Sequence, residues 1–153
     1  MRPLSGTVGA LLLALISGTA QAELGGTVTS LQSDQVRMKA VVPARRVTTF
    51  DAYSVHEMTT TSGVVVREYA GNDGVIFAVS WRGPVKPNLQ QLLGQYFLPF
   101  LQASDNARRG GTGPIVVQRD DLVVYSGGHP RAFSGHAYVT SLLPAGVSID
   151  ALR

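Results

Sequence analysis

No cysteine occurs anywhere in this 153-residue chain. That absence removes disulfide staples, thiolate nucleophiles, lipid-carrying cysteines and every Cys-based zinc motif, so stability has to come from packing. Charge is sparse too: 13 basic and 10 acidic residues give +3, and only Arg45-Arg46 and Arg108-Arg109 put two basic residues side by side. A nucleic-acid surface needs a basic stripe or a run of stacking aromatics. Neither is present, which argues against a nucleic-acid partner. Long apolar runs are missing as well. The one near the start, Val8–Ile16, falls short of the roughly 20 residues that a membrane-spanning helix requires.

That short run has Arg2 ahead of it and Ala20-Gln21-Ala22 behind it, the arrangement of a secretory signal peptide over residues 1–22. A retained N-terminal anchor is the alternative. The first reading predicts export to the periplasm or beyond, with no integral membrane segment left after cleavage. Residues 23–46 are polar, contain Gly25-Gly26 and keep no sustained period, which predicts a loosely ordered lead-in; a packed N-terminal strand is the alternative. Residues 47–153 are enough for a single domain with its own core.

Within that domain, alternation and β-branched residues predict strands at 53–60, 64–70 and 75–81. A hairpin turn at "GNDG" (71–74) separates the last two. In the third strand Val75, Phe77, Val79 and Trp81 should share one face, and Ile76, Ala78, Ser80 and Arg82 the other. Leu89, Leu92, Leu93, Tyr96, Phe97, Phe100 and Leu101 follow at helical spacing, so a helix is expected over about 88–103. Asn88 with Gln91 is its capping pair, and Pro99 should kink or tighten its last turn. The glycine-rich stretch 104–114 reads as a surface loop. Strands at 114–118, 122–126 and about 132–140 complete the chain before a short C-terminal turn. The predicted fold is α+β: an antiparallel sheet of five to six strands with one long amphipathic helix on its apolar face, in the order strands, helix, strands.

Several of these segments also carry a resemblance. "SGVVVREYAGNDGVIFAVSWRGPVKPNLQQLLGQYF" and "DLVVYSGGHPRAFSGHAYVTSLLPAGVSIDALR" closely resemble domain of unknown function 2844, a family of small exported proteobacterial proteins. The resemblance extends over nearly all of residues 23–153. It implies export and a single domain, and it brings no established activity, cofactor or catalytic residue. It also implies that Pro130 and His136 stand where the family more usually has methionine and arginine.

Candidate chemistry concentrates in "SGGHPRAFSGHAY" (126–138), which holds two of the three histidines. A metal site from His56, His129 and His136 lacks the compact ligand pairs of zinc sites, and residues seven apart on one strand face opposite sides. A hydrolase using Ser126, His129, Ser134 and His136 lacks the strand-to-helix nucleophile elbow. Asp120-Asp121 beside Arg119 suits a hairpin turn, and Glu57 and Glu68 suit a solvated strand face. No catalytic residue, metal or cofactor is assigned. The favoured reading is a non-enzymatic exported accessory domain that contacts a protein or an envelope polymer through Gly127, Gly128, His129 and Arg131. The small hydrolase or metal-binding protein is the alternative. A self-assembling surface component, pairing through "VVVREY" or "VIFAVSW", is the second.

Overall fold

The computed structural model describes residues 23–28, 46–108 and 113–152, with side chains omitted at 106–108. The proposed signal peptide therefore lies outside the described residues, as do residues 29–45 of the lead-in and the centre of the glycine-rich loop. Seven strands form one antiparallel sheet: β1 (Arg46–Thr49), β2 (Tyr53–Thr59), β3 (Val65–Gly71), β4 (Ile76–Gly83), β5 (Ile115–Arg119), β6 (Leu122–His129) and β7 (Ala132–Val139). Their order across the sheet is β1-β2-β3-β4-β7-β6-β5. Two hairpin-connected blocks meet where β4 pairs with β7, and the helical segment crosses between β4 and β5. This is the expected α+β architecture with one more strand than predicted. The unforeseen strand is β1, whose four residues are all exposed and so carry no burial alternation to read.

The helix is not continuous. A five-residue turn α1 (Leu89–Leu93) gives way at Gly94, φ +51°, to a 3-10 turn (Gly94–Tyr96) and then to α2 (Phe97–Arg108). The break thus falls at Gly94, not at Pro99. Pro99 lies in the first turn of α2, where an amide donor would have had no helical partner. Asn88 caps α1 as expected, its Oδ1 accepting from Gln90 N at 3.0 Å and Gln91 N at 3.3 Å. Leu92, Leu93 and Phe100 are fully buried, and Leu89, Tyr96 and Phe97 pack beside them against the sheet.

The start of the lead-in differs from the loose segment expected. Leu24 is completely buried in the helix-side core. Gly25 N–H donates to Ile76 O and Ile76 N–H donates to Gly26 O, both at 2.8 Å, which docks residues 23–28 onto the start of β4. An apolar anchor plus paired backbone outweighs the flexibility that polar composition and a Gly-Gly pair suggest.

The face assignment of β4 also changes. Tyr69 pairs with Ala78 while the next residue, Ala70, pairs with Ile76, so Phe77 is the extra residue of a β-bulge. The bulge shifts the alternation. Ile76, Val79 and Trp81 face the helices, whereas Phe77 joins Ala78 on the opposite face. There, Tyr53, Tyr69 and Phe77 cluster with ring centroids 6.0–6.3 Å apart. The C-terminal segment covers that cluster through Leu142, Leu143, Val147 and a fully buried Leu152. Burying a side chain such as Leu152 contributes about 2 kcal/mol.

"VVVREY" and "VIFAVSW" lie in β3 and β4, in the middle of the sheet, with neighbours hydrogen-bonded on both sides. They offer no free edge, so the expected route to self-assembly is corrected. The sheet's edges are β1 and β5.

Candidate functional site

The helix-free face of the sheet is covered at one end by the C-terminal segment and open at the other. Its side chains fall in rows that run across the strands, because antiparallel register brings every second residue of each strand to the same level. The covered row is Tyr69, Ala78, Tyr138 and Val123. One step outward the row is Glu57, Arg67, Ser80, His136 and Tyr125, contributed by β2, β3, β4, β7 and β6 in turn. A further step gives Val65, Arg82, Ser134 and Gly127. The β3, β4 and β7 members of the two outer rows, with Tyr125 of β6, line a groove of about 570 Å³ that Leu152 also borders.

The local sequence explains why this floor is polar. β4 changes from Ile-Phe-Ala-Val to Ser80 and Arg82 as it leaves the cover of the C-terminal segment, and β7 places Ser134 and His136 at the same levels. Directly beneath, on the helix side, Gly135 pairs with Trp81. A methyl group at Gly135 would collide with the Trp81 ring and with the Tyr125 carbonyl. The glycine thus lets the buried indole lie flat against β7, which gives the groove a rigid floor.

Each polar group in the groove has a distinct setting. Arg67 Nε donates to Glu57 Oε2 at 2.7 Å. The hydrogen bond to Glu57 raises the guanidinium's pKa, partly opposed by desolvation, with the charge of Glu57 and the nearby Tyr69 phenol adding to the rise. Ser80 is buried at the floor, 3.4 Å from the Tyr69 hydroxyl. The His136 ring lies nearly parallel to two tyrosine rings, Tyr125 at 5.5 Å and 16° and Tyr138 at 6.3 Å and 12°. Arg82 is exposed, and no carboxylate lies within ion-pair distance of it among the described residues.

His129 and Arg131, the side chains of the favoured sequence reading, occupy a different place. His129 ends β6, Ala132 begins β7, and Pro130-Arg131 make the two-residue turn between them. Proline followed by Arg131 at φ +73° follows the type II pattern, whose second position favours glycine. Gly127 and Gly128 belong to the ladder, paired with Ser134 and Phe133. Gly128 sits at φ +104°, where a side chain would strike the Ala132 carbonyl. The His129 ring bonds the Pro130 carbonyl through Nδ1 at 3.1 Å. Arg131 N–H donates to Pro84 O, also at 3.1 Å, tying the tip to the loop after β4. His129, Pro130 and Arg131 are all exposed, and none of them lines the groove.

The geometry corrects the reason for keeping the histidines apart. His129 and His136 lie on adjacent strands, and register puts both on the helix-free face. They are separated by four rungs of the hairpin, roughly 13 Å at the rise of an extended strand. His56 is on the opposite face, across from Glu68 in the buried layer. Those three histidines do not converge, and among the described residues no three metal-ligating side chains do. The hydrolase constellation separates as well. Ser126 pairs with Gly135 and so lies on the helix side, away from His136. Ser134 and His136 do share the groove, but Glu57, the carboxylate on the histidine's row, is three strands away and bonded to Arg67.

Arg67, Arg82 and Tyr125 carry the groove but were not singled out from sequence. Ser134 and His136 were, for a different chemistry. The available signal was the polar half of the alternation: Ser80 and Arg82 in "AVSWR", and Ser134, His136 and Tyr138 in "SGHAY". Each is an ordinary strand residue by itself, and only strand order makes them neighbours.

No curated protein and no solved structure matches this chain. A family model does, over residues 20–152, under the description "Protein of unknown function (DUF2844)". With that match covering nearly the whole sequence, the chain belongs to the DUF2844 family.

Proposed function

We propose that this protein is a non-enzymatic exported accessory domain that binds an envelope polymer in the groove on the helix-free face of its sheet. The observation that carries the reading is the polar row Arg67, Ser80, His136 and Tyr125, set with Arg82 and Ser134 in an open groove of about 570 Å³. Ligand sites are concave, hold a few convergent polar groups and fall in this range of volume. Rigid elements supply the positions here: four neighbouring strands on a floor packed against Trp81. The leader pattern in residues 1–22 supports the exported part of this reading. A binding role suits a site whose histidine stacks with tyrosine rings and whose carboxylate is committed to an arginine.

Co-sedimentation with isolated cell-envelope polymer tests this. Wild-type protein should be retained, Arg82→Ala and Tyr125→Ala should lose retention, the first with an unchanged thermal melt, and His129→Ala should behave as wild type. Retention that survives both groove substitutions, or fails only with His129→Ala, would overturn the assignment.

A further inference from the structure

The two arginines of the groove differ in electrostatic state, and the difference identifies what the groove is suited to hold. Arg67 is neutralised on its own row by Glu57, at 2.7 Å. Arg82, one row further out, has no such partner among the described residues and stands opposite Ser134 on β7. Two strands away on the same groove, Tyr125 stacks on His136 and remains 36% exposed. An uncompensated guanidinium in a concavity favours an oxyanion, which it can take bidentately. A hydroxyl and an exposed aromatic ring alongside favour a hydroxylated ring, whose C–H face packs on the aromatic and whose hydroxyls bond to side chains.

From these features we propose that the groove binds an acidic glycan, with Arg82 taking the carboxylate, sulfate or phosphate of one sugar unit and Tyr125 and Ser134 contacting its ring. The proposal rests on the groove being the binding surface. It favours a glycan over an acidic peptide for a physical reason. An extended peptide gains affinity on a sheet by adding main-chain hydrogen bonds at an edge. The strands beneath this groove, β3, β4, β7 and β6, are all internal, with backbone groups paired on both sides. Only side chains are on offer, and a sugar is recognised through side chains.

Calorimetric titration with four probes tests the class: an oligogalacturonate, a sulfated oligosaccharide, a neutral malto-oligosaccharide and tetra-aspartate. The oligogalacturonate or the sulfated probe should bind saturably, the neutral and peptide probes much more weakly, and the preferred acid identifies the oxyanion. Arg82→Ala should weaken binding about tenfold, the loss of one charge-assisted contact, and Arg82→Lys should recover part of that. Glu57→Gln frees the Arg67 charge without touching the groove's shape, so it should tighten binding several-fold, roughly the reverse of a lost ionic contact. Equal binding of the neutral probe, mapped to the groove by amide shifts, overturns the acidic class and leaves the groove as the binding surface. Preference for tetra-aspartate overturns the glycan. Shifts confined to residues outside the groove overturn both readings, and saturation by none of the four overturns the proposal.

Discussion

The two faces of this sheet are built from the same strands, residue by residue in alternation, yet they are organised for different ends. The helix-side face carries Val66, Ile76, Val79, Trp81, Val124, Ala137 and Val139 under α1, α2 and the docked Leu24, all of them buried. The opposite face is closed only at one end, by the C-terminal segment lying on Tyr69, Phe77 and Tyr138. Where that cover stops, the same strands turn polar within two residues and form a groove. Binding chemistry needs a surface that water reaches, on a scaffold that does not move when the surface is changed. One face supplies the rigidity and the other supplies the site.

Substitutions on the two faces should therefore behave differently, and the difference can be measured. The largest effect is expected for Gly135→Ala, which adds a methyl group where the Trp81 ring lies against β7. Overpacking of that kind costs about 3 kcal/mol, read as a lower denaturation midpoint in urea; a change below 0.5 kcal/mol would mean that the indole moves freely and the floor is soft. Next comes Leu152→Ala, which leaves a cavity at the border of the groove and should cost about 2 kcal/mol. Loss of the C-terminal cover should also lengthen the groove, visible as faster amide exchange at Ala78 and Tyr138. At the hairpin tip, Arg131→Gly removes a side chain from φ +73° and should raise stability by about 0.5 kcal/mol, after the entropy that glycine adds to the unfolded chain. Smallest of all, Arg82→Ala should change stability by less than about 0.5 kcal/mol, as exposed substitutions do. If Arg82→Ala unfolded the protein as Gly135→Ala should, the division of labour between the faces would be wrong.

Much of the architecture was legible in the sequence because it rests on local signals. The turn at Gly71–Gly74, the Asn88 cap, the apolar helix stripe and six of the seven strands each follow from a few consecutive residues. β1 was not legible, because "RVTT" has every side chain exposed and gains its strand conformation only by pairing with β2. The anchoring of Leu24 and the bulge at Phe77 depend on contacts made at long range, and each overrode a local pattern. The groove was the least legible part. Its row draws on residues 57, 67, 80, 136 and 125, brought together by a strand order in which β4 lies beside β7. The residues of the 126–138 cluster are close in sequence but not in function. On the sheet they divide: Gly127 and Gly128 pair with Ser134 and Phe133 in the ladder, Pro130 and Arg131 turn it, and Ser134 and His136 lie two and four rungs from the turn, in the groove.

The central claim is that binding resides in the Arg82–Tyr125 groove and not at the His129–Arg131 tip. Side-by-side calorimetric titration of Arg82→Ala and Arg131→Ala with the acidic oligosaccharide tests it most directly, since both variants remove one exposed arginine and the same unit of charge. The account expects Arg82→Ala to bind about tenfold more weakly and Arg131→Ala to match the wild type. Equal losses in the two variants would reduce the effect to net charge, and a loss confined to Arg131→Ala would put the site at the tip and contradict the account.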